Sequence, residues 1–294
     1  MIHRALCGSV LLCVLASGGA FAGEPTPPTA APAPSFLADR GSGVPTSMFG
    51  TYVRRGELIV YPFFEYYKDD NFEYAPIDLG HPGETDYRGR FRASEGLLLL
   101  AYGLTDDLAL EAEAAVISAS LEKSPSDLSS VPSRIEESGL GDVEAQLRWR
   151  FAHESEGSPE LFSYFETVFP HKKHKVLIGT PDWELKLGAG VVKGFRWGTL
   201  TARLGIGYEA ASTSELELGE FAIEYLKRLS PRFRVYVGIE GTQDEVELIT
   251  EVQWNLARNV FLKVNNGFGI SSKATDWAPE VGLLFTLPTR RTRR

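Results

Sequence analysis

The side chains with chemistry to offer recur at every second position. Arg88, Arg90 and Arg92 form one ladder and Glu111 and Glu113 another. Glu144 precedes Arg148 and Arg150, and Glu184 precedes Lys186. Arg203 and Glu209, Arg234, Glu247 and Glu251, and Lys263 continue the pattern. A period of two collects such residues on one face of a β-strand. The opposite faces are apolar: Val143, Ala145, Leu147, Trp149 and Phe151 oppose Glu144, Gln146, Arg148 and Arg150. Phe233, Val235, Val237 and Ile239 likewise oppose Arg234, Tyr236, Gly238 and Glu240. Charges on the inner face of a closed sheet could line a water-filled path and set its selectivity. They could equally pair across the interior and fill it, since small barrels have little room and buried charges need partners. The Arg88, Arg90 and Arg92 ladder is the candidate for anion selectivity, and Glu111 and Glu113 beside it could neutralise it.

Other chemistries find little support. The only cysteines, Cys7 and Cys13, lie in the first two dozen residues, which leaves no thiolate metal site, disulfide framework or catalytic thiol in the remainder. His81, His153, His171 and His174 all fall in expected loops or turns, where a catalytic triad is not expected. No phosphate-cradling glycine loop is present, because Gly188 to Gly194 sits in an alternating strand. The reading is therefore not an enzyme, with no cofactor, catalytic residue or metal. A net charge of -9 argues against a nucleic-acid partner. The basic run His171-Lys172-Lys173-His174-Lys175 could neutralise lipopolysaccharide phosphates, or could simply be a solvated loop.

These ladders require strands to carry them. Alternating segments predict about twelve strands, over 57–67, 87–104, 108–120, 141–152, 160–170, 183–194, 199–211, 215–228, 232–241, 245–255, 259–270 and 279–287. Tight connections such as Thr105-Asp106-Asp107, Ser230-Pro231 and Ala257-Arg258 occupy every second gap, whereas 68–86, 121–140 and 171–182 are long. Short turns at one end and long loops at the other, with an even strand count, predict an all-β fold: a closed antiparallel up-and-down transmembrane β-barrel. Aromatic residues gather near both strand ends, as two membrane interfaces would favour. Glu95 breaks the expected register, so a bulge is predicted near Gly96, and a second slip near Gly219.

The N-terminus has the pattern of a Sec signal peptide over 1–22: Arg4, a short apolar run, and Ala20-Phe21-Ala22 at the cleavage site. Export with cleavage after Ala22, together with the expected barrel, places the protein in the bacterial outer membrane. The expected organisation is a Pro-rich periplasmic segment over 23–56, a barrel over 57–287 and a basic tail over 288–294.

Three stretches resemble the outer-membrane barrel family named for the MetA-pathway of phenol degradation. They are Tyr102-Gly103-Leu104-Thr105-Asp106-Asp107-Leu108, Gly139-Leu140-Gly141-Asp142 leading to Arg148-Trp149-Arg150-Phe151, and Gly179-Thr180-Pro181-Asp182-Trp183 before Leu187-Gly188. The resemblance implies a monomeric barrel passing small hydrophobic or aromatic compounds, with outer-membrane lipids and lipopolysaccharide as its surroundings. The alternatives are a structural or surface-binding barrel with a plugged lumen, and a soluble periplasmic β-protein.

Overall fold

The computed structural model describes residues 34–171, 175–209, 216–242 and 244–289. The expected signal peptide, residues 172–174 of the basic loop and residues 290–294 of the tail lie outside the described residues. A short 3-10 turn, Ser35–Leu37, leads to a miniature hairpin of β1 (Val44–Pro45) and β2 (Tyr52–Val53). Twelve long strands follow: β3 (Glu57–Tyr74), β4 (Tyr87–Gly103), β5 (Leu108–Glu122), β6 (Arg134–Ala152), β7 (Glu160–Phe169) and β8 (Glu184–Phe195). The remainder are β9 (Gly198–Glu209), β10 (Leu216–Arg228), β11 (Phe233–Gly241), β12 (Val246–Ala257), β13 (Val260–Gly269) and β14 (Ala278–Pro288). Each pairs antiparallel with its sequence neighbours, and β14 pairs with β3 to close the barrel. Closure gives every long strand a partner on both sides in the body of the barrel, so no open sheet edge remains there.

Burial runs opposite to that of a water-soluble domain. On β12, Glu251 and Gln253 are 2% and 1% exposed, while Val252 and Trp254, alternating with them, are 47% and 41% exposed. Polar side chains inside and apolar ones outside suit a wall that touches hydrocarbon and encloses polar space. The outer surface carries aromatic pairs at both ends. Trp149–Phe151, Phe195–Trp197 and Phe233–Trp254 gather at the short-turn end, and Phe169–Trp183 and Tyr66–Trp277 at the long-loop end. These are the two girdles that amphipathic rings form at membrane interfaces.

Three expectations change. The long loops anticipated over 68–86 and 121–140 are partly strand, because alternation persists through Tyr74 on β3, Glu122 on β5 and Arg134 on β6. The bulge expected near Gly96 is absent: β4 keeps an unbroken register with β5 from Gly103 to Arg90. The register break lies instead on β3, between Asp69 and Phe72. The slip expected near Gly219 is present, between Leu218 and Phe221. Finally, 34–56, expected to lie outside the barrel, packs in large part against the barrel's inner wall, with Val44 and Val53 fully buried.

Close packing of the inner wall depends on two glycines. A Cβ on Gly188 would lie 2.2 Å from the Tyr164 ring, and one on Gly190 would lie 2.3 Å from Phe162. The bare backbone of β8 is the seat on which these two β7 rings rest.

Candidate functional site

The lumen holds a docked segment, with one cavity above it and another beside it. At the short-turn end 34–56 is held by the charged and polar side chains of the wall. Arg150 donates to the Gly43 carbonyl at 2.6 Å and Arg148 to the Pro45 carbonyl at 3.2 Å. The Ser47 N–H and hydroxyl both donate to Glu111, the N–H at 3.0 Å. Gln253 and Lys263 donate to the Phe49 carbonyl at 3.0 and 3.2 Å, and the Phe49 ring stacks on Tyr236. Gly50 follows with φ +57°, in the left-handed region, and a Cβ there would also meet Leu226 at 2.7 Å.

Arg40 anchors the start of the segment. Its guanidinium lies 2.9 Å from Glu154 and 3.0 Å from Glu160, all three side chains almost wholly buried. Burial works against its charge. Tyr52, Glu160 and Glu154 around it more than offset that, so its pKa lies above the usual guanidinium value. Asp39 adds a second tie, accepting the Arg228 N–H at 2.8 Å and facing Lys227 at 3.3 Å.

Above the segment lies a cavity of about 230 Å³ whose floor is Ser47, Met48 and Phe49. Six carboxylates line it, Glu111, Glu113, Glu144, Glu166, Glu220 and Glu240, against the three cations Arg148, Lys186 and Arg203. Lys186 bridges Glu166 and Glu220, 3.0 Å from each, and Arg203 lies 2.7 Å from Glu240 and 3.7 Å from Glu224. Glu113 and Glu144 are direct cross-strand partners, and neither forms an ion pair among the described residues. Two like charges so placed are unfavourable unless a cation or a proton relieves them.

The charged residues expected to line the lumen therefore have three fates. Glu111, Arg148, Arg150 and Glu251 face inward, three of them touching the filling segment directly and Glu251 holding Lys263, which does, at 3.2 Å. Glu113, Glu144, Glu184, Lys186, Arg203 and Glu247 also lie on the inward set, and Glu113, Glu144, Lys186 and Arg203 line the open cavity. Arg88, Arg90 and Arg92 do not line it. With no bulge at Gly96, Phe91 and Ala93 point inward and the arginines point outward on the long-loop end of the wall. There they meet Glu73, Glu122 and Asp70 respectively. The proposed anion ladder is an external, paired charge belt.

Glu95, Glu166, Glu220 and Glu280 also lie on the inner face, and Glu240 lies there as its opposition to Val237 and Ile239 predicts. Glu166 lies between the inward Tyr164 and Val168, so bulky neighbours disguised its strand face. Glu220 sits beside the register slip, where parity fails.

The described histidines, His81, His153 and His171, lie at the barrel ends. His153 faces Asp107 at 2.8 Å, its neighbour Glu154 holds Arg40, and Ser155 accepts the Ser158 N–H, so the run His153-Glu154-Ser155 forms no nucleophile–base pair. His81 lies 3.2 Å from Ser130 in an exposed position, and its hydrogen bonds include no orienting carboxylate. No group of three potential metal ligands occurs among the described residues.

No protein-family model matches the sequence, and no curated protein is similar to it. Among solved structures, the fold is similar to that of an outer-membrane channel from Pseudomonas putida F1. The TM-score is 0.59 at 16% identity, covering 80% of this chain and 97% of that one. It is also similar to the translocator domain of the autotransporter NalP from Neisseria meningitidis, with a TM-score of 0.50 at 12% identity, covering 78% and 88% respectively. At these identities the likeness is one of fold, the closed β-barrel of the outer membrane.

Proposed function

We propose that this protein is a passive outer-membrane channel for small solutes, built as a monomer and exported by a signal peptide cleaved after Ala22. The observation that carries this reading is the partly filled lumen. A barrel that served only as a wall would gain by filling its interior completely, whereas here a carboxylate-rich cavity sits above a docked segment. The similar channel from Pseudomonas putida F1 supports it by fold. The short-turn end then faces the periplasm and the long-loop end faces outward, toward lipopolysaccharide. In this reading 34–56 is a gate, and solutes pass when it moves.

The solute class proposed is small hydrophobic or aromatic compounds, in keeping with the resemblance to the MetA-pathway barrels. Aromatic side chains of the inner wall, Tyr61, Phe63 and Tyr236, are buried in clusters with Met48, Val53 or Phe49 of the docked segment, and in this reading its movement uncovers their rings. The second reading, a surface or structural barrel with a plugged lumen, draws on the same docked segment. Single-channel recording and liposome swelling with phenol and with neutral sugars separate the two. Conductance steps with swelling in phenol are expected from a channel. A full-length protein that passes neither ions nor phenol in any state is the plugged barrel.

A further inference from the structure

The opposite sign of charge collects at the other end of the lumen. Between the docked segment and the wall formed by β11 to β14 lies a second cavity, of about 320 Å³, at the short-turn mouth. The cations around it are Arg40, Arg54, Arg234, Arg258 and Lys263, against the single carboxylate of Glu57. Arg40 is taken by Glu154 and Glu160, and Lys263 by Glu251. Arg54, Arg234 and Arg258 form no ion pair among the described residues. Glu57 accepts the Arg54 backbone N–H at 3.0 Å, not its guanidinium.

Arg234 decides the reading. Its guanidinium lies over the Phe261 ring, 5.3 Å from the centroid, and its one hydrogen bond is a long one of 3.4 Å to the Gly50 carbonyl. A guanidinium carries five donors in a planar fork, so most of this fork is unused. Its remaining donors are open to solvent and geometrically free to pair with a bidentate oxyanion. Tyr52 and Phe261 add flat apolar faces beside the charges.

We propose that the short-turn mouth is a binding site for a small oxyanion, a carboxylate or phosphate carried on a compact and preferably planar body. Arg234 grips the oxyanion, with Arg54 and Arg258 closing over it. This site is separate from the acidic cavity and does not depend on which solute crosses the lumen.

Calorimetric titration of the detergent-solubilised full-length protein, at fixed ionic strength, tests it with three probes: benzoate, inorganic phosphate and benzylammonium. One site per chain is expected for benzoate or phosphate, and none at this mouth for benzylammonium. Saturation by benzoate alone identifies an organic carboxylate ligand, and saturation by phosphate alone identifies a phosphate ligand. Arg234→Gln is expected to weaken binding by about tenfold or more. Because Arg234 also touches Gly50, Arg258→Gln serves as the second variant: it lies in the exposed β12–β13 turn and is expected to weaken binding severalfold with unchanged heat-modifiable migration. No binding by either anion, or equal affinity in the parent and both variants, overturns the proposal.

Discussion

Arg40 and Glu160 stand 120 residues apart in the chain and 3.0 Å apart in space. With Glu154 they form a buried triad that fastens the N-terminal segment to the turn between β6 and β7. Arg40→Ala removes the cation shared by two buried carboxylates; Glu154 keeps Lys193 at 3.3 Å and Glu160 keeps Arg150 at 3.4 Å, so the cost falls below the roughly 3–5 kcal/mol of a fully broken buried pair. The loss falls on docking of 34–56, because the strand ladders do not involve Arg40. We expect faster proteolysis within 40–56 and longer or larger conductance steps, with heat-modifiable migration retained. Identical protease patterns and conductance in parent and variant would show that the triad does not hold the gate.

The two charge ladders make opposite predictions for ion selectivity. Glu113 and Glu144 face each other in the open cavity, so Glu113→Lys should move the reversal potential in a salt gradient toward anions. Arg92→Glu, on the outer wall against Asp70, should leave that potential within error of the parent. A shift from Arg92→Glu equal to that from Glu113→Lys would place β4 in the other register.

That register shows where a sequence is readable and where it is not. Strand number, the turn pattern and the inward set on β5, β8 and β12 follow from alternation alone, since Glu111 and Lys186 lie between apolar neighbours and Glu251 between Thr250 and Val252. On β4 the run Leu97 to Leu100 hides the parity. A buried inward Leu99 is indistinguishable in sequence from the lipid-facing Leu98 and Leu100. In sequence Glu95 therefore falls on the lipid-facing parity, which a bulge at Gly96 would correct. The structure keeps Glu95 inside because the lumen accepts leucine and carboxylate alike. The docking of the segment is not legible in sequence because the carbonyls of Gly43, Pro45, Phe49 and Gly50 meet distant side chains, and the partners of Asp39 and Arg40 lie more than 100 residues away. Carbonyls carry no sequence signal.

The seats at Gly188 and Gly190 predict an overpacking penalty. Gly188→Val drives a side chain into Tyr164, which also lies beneath the Arg148 guanidinium. A loss of about 1–3 kcal/mol is expected from such a clash, read as a lower urea midpoint for unfolding in micelles. Tyr164→Ala in the same chain should recover part of that loss, because the two changes share one contact. Full additivity of the two substitutions would mean that the ring does not rest on the glycine.

Asp142 holds both ends of the β7–β8 loop. Its carboxylate accepts the His171 N–H at 3.0 Å and the Thr180 N–H at 2.7 Å, so two backbone donors 9 residues apart share one side chain. Asp142→Ala leaves both donors unmatched, a cost of about 1–3 kcal/mol for each one that water cannot reach. Asp142→Asn keeps a single acceptor oxygen and should recover about half of the effect. The wall is untouched by either change, so barrel unfolding should stay near the parent value while the loop opens. Hydrogen exchange over 175–183 measures this directly: protection should fall most in Asp142→Ala and less in Asp142→Asn. Equal protection in all three proteins would mean that the loop is held by Glu137, which accepts the Val176 and Leu177 N–H groups at 2.8 Å, and not by Asp142.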